Sequence, residues 1–166
     1  MSVETKLILN KGLIIEYAHL REDCLAEAEE IASSTTGRKG RSKDRHLEDA
    51  LNGLMLQYAV AEYFISRDVD VRLSDTLIAD FSFNDIFIDV KGRFHKSSTC
   101  YAQSDWEHLT ANQLNINLIY LCFDCRNGQA IFEGGISKEQ INRKSNYSGW
   151  MIFPNQLKNF EFIIGV

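Results

Sequence analysis

Two aspartates and a lysine, Asp80, Asp89 and Lys91, have the types and spacing needed for metal-assisted chemistry. Apolar-rich runs flank Asn84 and Asp85, residue types that tolerate a tight two-residue turn between two strands. If those two residues form the loop of a hairpin, Asp80 lies opposite Asp89. Lys91 then lies on the same face as both carboxylates, because strand side chains alternate.

Two carboxylates directly opposite each other destabilise a strand pair, so Asp80 and Asp89 need a physical explanation. A divalent cation between them would supply one, since hard cations take carboxylate oxygens. A cationic amine such as that of Lys91 can stabilise the charge that develops on a phosphate. The residues alone favour an ordinary solvated sheet face equally. A one-residue slip would separate the two aspartates and would favour an unrelated α/β enzyme.

The other face of the predicted hairpin is apolar. With the same turn, the pairs that point to the core are Phe83 with Ile86, Phe81 with Ile88, and Ala79 with Val90.

The elements around the hairpin predict a mixed α/β fold. A stripe of apolar residues predicts a long helix over about residues 45–66, with members Leu47, Leu51, Leu54, Tyr58, Ala61 and Ile65. Ser104, followed three residues later by Glu107, predicts a capped helix over about residues 104–115. We also predict a helix over about 17–33, a short helix over 136–140, and strands over 69–73, 118–123, 129–132, 150–153 and 160–164. This order indicates a central mixed sheet flanked by helices.

Length and composition predict a single domain over residues 1–166, of which 1–45 hold a helix and a basic loop and 46–166 hold the core. The chain is 45% hydrophobic and 25% charged, as in ordinary globular proteins. Its short N-terminal apolar pieces fit neither a signal peptide nor a membrane span, so we expect a cytoplasmic protein with no membrane partner. Cys122 and Cys125 form a CxxC without a second ligand pair, which favours buried thiols over zinc.

The net charge of −5 means that any nucleic-acid footprint must be local. Two clusters of cations could contact phosphates. One lies in the predicted basic loop and consists of Arg38, Lys39, Arg41, Lys43 and Arg45. The other begins at Lys91 and continues with Arg93 and Lys96.

The pattern Asp80, eight residues, then Asp89-Val90-Lys91 resembles the D…(D/E)xK signature of the PD-(D/E)xK nucleases, the restriction-endonuclease-like superfamily. The resemblance extends over roughly residues 47–166, because the hairpin follows a long helix and precedes a helix and a strand. It is nearest to small phage and bacterial members. Ala79 replaces the proline that precedes the family's first aspartate.

This resemblance implies a restriction-endonuclease-like core with Asp80, Asp89 and the Val90 carbonyl as ligands of Mg²⁺ or Mn²⁺. It also implies a catalytic role for Lys91 and a supporting role for a polar residue of the next helix, for which Gln113 is the candidate.

Members of the family add a glutamate from the helix before the hairpin. Spacing favours Gln57 at that position, whereas Glu62 is the carboxylate. At about 100° per residue the two lie on opposite flanks of the apolar stripe, so only one of them can face the hairpin. We expect Glu62, with Gln57 as the alternative.

The function implied is a metal-dependent nuclease, of endonuclease type, that hydrolyses DNA phosphodiester bonds. Cutting both strands of a duplex benefits from two-fold symmetry, so a homodimer fits this function. The alternative is a non-catalytic nucleic-acid-binding or assembly protein on the same fold with a degraded site. Gln57 in the place of a glutamate favours that alternative.

Overall fold

The computed structural model describes residues 5–34, 43–74, 78–145 and 149–165. Within these ranges the helices are α1 (Arg21–Ser34), α2 (Lys43–Ser66) and α3 (Asp105–Gln113). The strands are β1 (Thr5–Leu9), β2 (Ile14–Glu16), β3 (Arg72–Leu73), β4 (Phe81–Phe83), β5 (Ile86–Arg93), β6 (Tyr101–Gln103), β7 (Asn117–Arg126), β8 (Gln129–Ser137), β9 (Arg143–Ser145), β10 (Gly149–Ile152) and β11 (Phe160–Gly165). Short 3₁₀ turns occupy Ala18–Leu20, Lys138–Gln140 and Pro154–Gln156.

The central sheet has six strands in the order β2-β8-β7-β5-β4-β3. Its pairs are antiparallel except for β5 and β7, which run parallel. A parallel pair requires a crossover connection, and here that connection contains β6 and α3. The predicted mixed α/β architecture is therefore confirmed. Two smaller sheets, β1-β11 and β6-β10-β9, complete the described strands.

The hairpin of β4 and β5 forms with the predicted turn. Asn84 and Asp85 have φ values of 45° and 62°, which is the geometry of a type I′ turn. The predicted pairs Phe81 with Ile88 and Phe83 with Ile86 are present. Local turn chemistry therefore sets the register of this hairpin.

The ladder stops earlier than the sequence predicts. Its last pair is Phe81 with Ile88, so Asp80 and Ala79 lie beyond the paired strands. Ala79 packs in the apolar cluster on the sheet face opposite to that of Phe81. This corrects the prediction that Ala79 and Phe81 point to the same face. The alternation rule holds only while a strand stays extended and paired, and this strand leaves β5 at Asp80.

The two faces of the central sheet carry different layers. On one face, α2 covers the sheet residues Phe81, Ile88 and Leu121. The α2 side chains in this cluster include Leu51 and Phe64. The opposite face contains Tyr120 and Cys122 and is covered by α3 and the β6-β10-β9 sheet, in a cluster with Tyr101, Ala111, Ile136 and Ile152. Side chains at Asp89 and Lys91 point to this second face, because Ile88 points to the first.

Most predicted elements are present with shifted bounds. The helix expected over 17–33 begins as a 3₁₀ turn and continues as α1, and the strand expected over 69–73 is only β3. The helix expected over 136–140 is a 3₁₀ turn that follows β8. Strands β1 and β2 were not predicted from the sequence, because their short apolar runs pair with the distant β11 and β8. Cys122 and Cys125 are buried free thiols, as predicted, and Cys24 is a buried free thiol as well.

No helix among the described residues could cross a membrane. The longest, α2, has 24 residues, but charged residues including Asp44, Arg45, Glu48 and Glu62 interrupt its apolar surface.

A buried lysine fixes the C-terminal end of α3. Lys138 Nζ donates to the carbonyl oxygens of Ala111, at 3.1 Å, and Leu114, at 2.5 Å. Carbonyls in the last turn of a helix have no partner within the helix, so the ammonium supplies one.

We expect Lys138→Met to lower the free energy of unfolding by about 2 kcal/mol, because it leaves these carbonyls unsatisfied. Urea denaturation measures the change. Lys144→Met is the matched control, since exposed Lys144 pairs with Asp105 near the opposite end of α3, at 3.7 Å. Exposed pairs of this kind contribute roughly 0–1 kcal/mol. Equal losses in the two variants would contradict the capping role of Lys138.

Candidate functional site

The structure brings Asp80, Asp89 and Lys91 together at the open end of the β4–β5 hairpin. Lys91 Nζ lies 3.4 Å from Asp89 Oδ2, and the side chain of Lys91 is only 14% exposed. The carboxyl groups of Asp80 and Asp89 are within hydrogen-bonding reach of each other. Three ionisable groups therefore share one largely desolvated space.

At this point a side chain takes the place of a backbone carbonyl in the hydrogen bonding between the two strands. Asp80 Oδ2 accepts the backbone N–H of Val90 at 2.7 Å. The backbone N–H of Asp80 still donates to Ile88 O at 2.8 Å, so the two strands separate immediately after this bond. The predicted ladder pair of Asp80 with Asp89 is therefore not formed. Asp80 reaches over the end of the ladder.

This opening also fixes the direction of one carbonyl. The N–H and C=O of a single extended residue point to the same edge of its strand. Because the N–H of Val90 points to Asp80, the Val90 carbonyl faces the same opening. Carboxylate oxygens and a main-chain oxygen are the donor types that Mg²⁺ and Mn²⁺ prefer.

Burial makes the negative charges of the two carboxylates unfavourable. It raises the pKa of Asp80 to about 6, against the lowering effects of the Val90 hydrogen bond and Lys91. Burial also raises the pKa of Asp89 well above its usual value; Lys91 opposes this shift, and the carboxylates of Asp80 and Glu107 add to it. Lys91 is the one cation among the described groups that act on these carboxylates, and it does not balance their charge, so the site favours a further positive charge.

Glu107 is a site residue that the sequence analysis missed. Its Oε1 lies 3.1 Å from Lys91 Nζ. The predicted Ser104 cap is present, since the Ser104 hydroxyl accepts the Glu107 N–H at 3.1 Å. The Glu107 side chain reaches Lys91. The one feature of the sequence that could have indicated this role is that Glu107 places a carboxylate in the first turn of the helix after the hairpin.

An aromatic ring lies under the lysine. Tyr120 is the β7 residue paired with Asp89, and the Lys91 ammonium lies 5.2 Å from the centre of its ring. Burial alone would lower the pKa of Lys91, but the carboxylates of Asp89 and Glu107 raise it. The surrounding carboxylates therefore favour the protonated, cationic form of Lys91.

The structure places Glu62, the carboxylate expected from α2, beside another partner. Glu62 Oε2 lies 3.3 Å from His19 Nε2, and its side chain is 55% exposed. Gln57 is half-buried on the same helix. Both belong to the helix that covers the opposite face of the sheet from Asp89 and Lys91. The apolar stripe of α2 sets this arrangement, because it packs on the face that contains Ile88.

Gln113, expected to support the site, is the exposed last residue of α3. The side chain that α3 brings to Lys91 is Glu107, near the start of the helix.

The first predicted cation cluster falls largely outside the described residues. Arg38, Lys39 and Arg41 lie in the undescribed range 35–42. Lys43 begins α2, and its side chain is likewise not described. Arg45 is exposed in the first turn of α2.

The second predicted cluster divides into different environments. Arg93 is turned inward: its Nε and Nη2 donate to Glu133 Oε1 at 3.1 and 2.5 Å, and its side chain is 13% exposed. Nη1 of Arg93 donates to Ser98 O at 2.6 Å. Lys96 is exposed. Arg93 therefore holds the chain after β5, and Lys96 is the member of this pair whose side chain faces solvent.

Asp80 should make the metal-free protein less stable as the pH rises. Its pKa in the folded state, about 6, lies above the usual value of about 3.9. The folded state therefore binds the proton more tightly, and stability falls as the pH rises from about 4 through 6. We expect Asp80→Asn to remove the part of this fall that Asp80 causes, while Asp89, whose pKa burial also raises, still contributes. At pH 8 in EDTA the variant should gain on the order of 2–3 kcal/mol in the free energy of unfolding.

Denaturant unfolding at pH 5 and pH 8 tests this expectation. Asp70→Asn is the control, because exposed Asp70 pairs only with the exposed side chain of Arg72 among the contacts described for it. Equal stability of wild type and Asp80→Asn at pH 8 would show that Asp80 carries no such cost.

Comparisons with known proteins add no assignment to this site. No family model matches the chain, and neither does any curated protein. The functional conclusion therefore depends on the geometry and chemistry of the residues themselves.

Proposed function

We propose that the protein is a divalent-metal-dependent nuclease that hydrolyses DNA phosphodiester bonds. The observation that carries the proposal is the convergence of Asp80, Asp89 and Lys91 where the hairpin opens. Two buried carboxylates beside a cationic amine combine a metal-binding group with a group that stabilises anionic charge.

The topology around this cluster supports a restriction-endonuclease-like core. Helix α2 is followed by the antiparallel strands β3, β4 and β5, then by α3, and then by β7 parallel to β5. This is the order of long helix, hairpin, helix and strand on which the resemblance to the PD-(D/E)xK nucleases rests.

The residues present fit Mg²⁺ or Mn²⁺. Among the described residues no three His, Cys, Asp or Glu side chains are grouped to hold a metal. Mg²⁺ does not require such a group, because proteins usually bind it through one or two carboxylates together with water and substrate phosphates. Asp80, Asp89 and the Val90 carbonyl would hold the ion. When bound, the ion would supply Lewis acidity toward the phosphodiester and the attacking water.

The chain's own cation acts on the phosphate. The Lys91 ammonium lies beside Asp89 in a largely desolvated space, where electrostatic stabilisation is stronger than in bulk water. It would stabilise the negative charge that increases on the phosphate oxygens as the bond to the leaving group breaks. Asp80 would also shape the site, since its bond to the Val90 N–H holds its carboxylate where the two strands separate.

The proposed substrate contacts are electrostatic and local. Arg45 and Lys96 are exposed, and the segment with Arg38, Lys39, Arg41 and Lys43 adds further cations. Because phosphate contacts release counterions, binding should weaken steeply with salt. We propose endonucleolytic cleavage, and a homodimer would place two sites on the two strands of a duplex.

Cleavage of plasmid and single-stranded DNA with Mg²⁺ or Mn²⁺, against EDTA, tests the proposal. We expect metal-dependent cleavage, and we expect Asp89→Ala or Lys91→Ala to lower kcat by about 10²-fold or more. Asp70→Asn is the control: it also removes an aspartate charge, but its side chain is exposed and remote from the cluster, so activity should be unchanged.

Absence of cleavage with a folded protein that still binds DNA would contradict the proposal. It would favour the rival function, a nucleic-acid-binding or assembly protein with a degraded site. Calorimetric titration with Mn²⁺ separates the two further, since a degraded site binds the ion negligibly and Asp89→Ala then changes nothing.

A further inference from the structure

The Lys91 ammonium lies among three groups from three elements. Asp89 Oδ2 on β5 is 3.4 Å away, Glu107 Oε1 on α3 is 3.1 Å away, and the Tyr120 ring on β7 lies 5.2 Å below. An ammonium has three donors and moves on a flexible stem, so it needs fixed partners to hold one position.

The partner on α3 is held rigidly. The Ser104 hydroxyl accepts the backbone N–H of Glu107 itself, at 3.1 Å. At the other end of the helix, Lys138 binds the carbonyls of Ala111 and Leu114. Because both ends of α3 are fixed, the Glu107 carboxylate has little freedom to move away from Lys91.

The partner on β7 is held by a buried network. Gln103 is only 1% exposed, and its Nε2 donates to the Tyr120 hydroxyl at 2.6 Å. Gln103 Oε1 accepts from His108 Nδ1 at 2.7 Å, which follows from the direction of the first bond. The His108 ring in turn stacks on Trp150, with 3.5 Å between ring centres. These contacts fix the Tyr120 ring and tie it to the same helix that carries Glu107.

We propose that Glu107 is the positioning residue for Lys91. The inference rests on the proposed function, in which Asp89 binds a metal. A cation on Asp89 competes with Lys91 for that carboxylate, so Glu107 becomes the partner that keeps the ammonium at the site. The sequence suggested that α2 supplies a metal-binding carboxylate. The carboxylate at this cluster comes instead from α3, and its proposed role is to hold Lys91.

The first test does not depend on cleavage. An ammonium held in hydrogen bonds and shielded from water exchanges its protons slowly, so its ¹H–¹⁵N correlation is observable by NMR. We expect such a signal for Lys91, assigned by its loss in Lys91→Arg, both in EDTA and with Mg²⁺. Glu107→Gln should abolish it, and the isosteric amide preserves the helix. Asp105→Asn, in the same turn of α3, should leave it unchanged, because Asp105 pairs with Lys144 instead.

The second test asks whether Glu107 acts through Lys91. Glu107→Gln should lower kcat roughly tenfold or more while KM for DNA stays within about twofold. In a Lys91→Ala background the same substitution should have no further effect beyond about twofold, since its partner is already absent. A merely structural role would lower activity equally in both backgrounds and would overturn the proposal.

The two tests separate this inference from the proposed function. A Lys91 signal that survives Glu107→Gln overturns the positioning role whether or not the protein cleaves DNA. A signal lost in Glu107→Gln but retained in Asp105→Asn supports the positioning role, even if no DNA is cleaved. In that case it is the nuclease proposal that fails.

Discussion

One hydrogen bond determines the geometry of the site: Asp80 Oδ2 accepts the backbone N–H of Val90 at 2.7 Å. In a regular hairpin that N–H would bond to a carbonyl of the opposite strand. The carboxylate takes this place and brings a second charge beside Asp89 where the strands separate. The same bond directs the Val90 carbonyl into the opening. A single side-chain contact thus converts the end of a sheet ladder into a cluster of oxygen ligands.

The unfavourable free energy of bringing two buried carboxylates together explains which groups surround them. Buried carboxylates close to each other are unfavourable without compensation, as the raised pKa values of Asp80 and Asp89 indicate. Lys91 offsets part of the charge, and it is in turn enclosed by Glu107 and Tyr120. The buried contacts of Glu107 and Tyr120 with the rest of the protein keep these two side chains from moving away from Lys91. Such concentrations of perturbed groups occur preferentially at functional sites.

Features that depend on local chemistry could be predicted from the sequence. The turn at Asn84 and Asp85 fixes the hairpin register, the apolar stripe predicts α2, and Ser104 caps α3. Features that depend on distant packing could not. The flank of α2 that contains Glu62 faces His19 because of how the N-terminal segment packs, which periodicity does not encode. Glu107 reaches Lys91 only because the crossover places α3 over that face of the sheet.

The central claim is that Asp80, Asp89 and the Val90 carbonyl bind a divalent cation. A crystal of the protein soaked in Mn²⁺, with anomalous diffraction data, tests it most directly. The account predicts an anomalous peak in contact with oxygens of both aspartates, with Lys91 still against Glu107. The absence of a peak there at saturating Mn²⁺, with Lys91 still bound to Asp89, would contradict it.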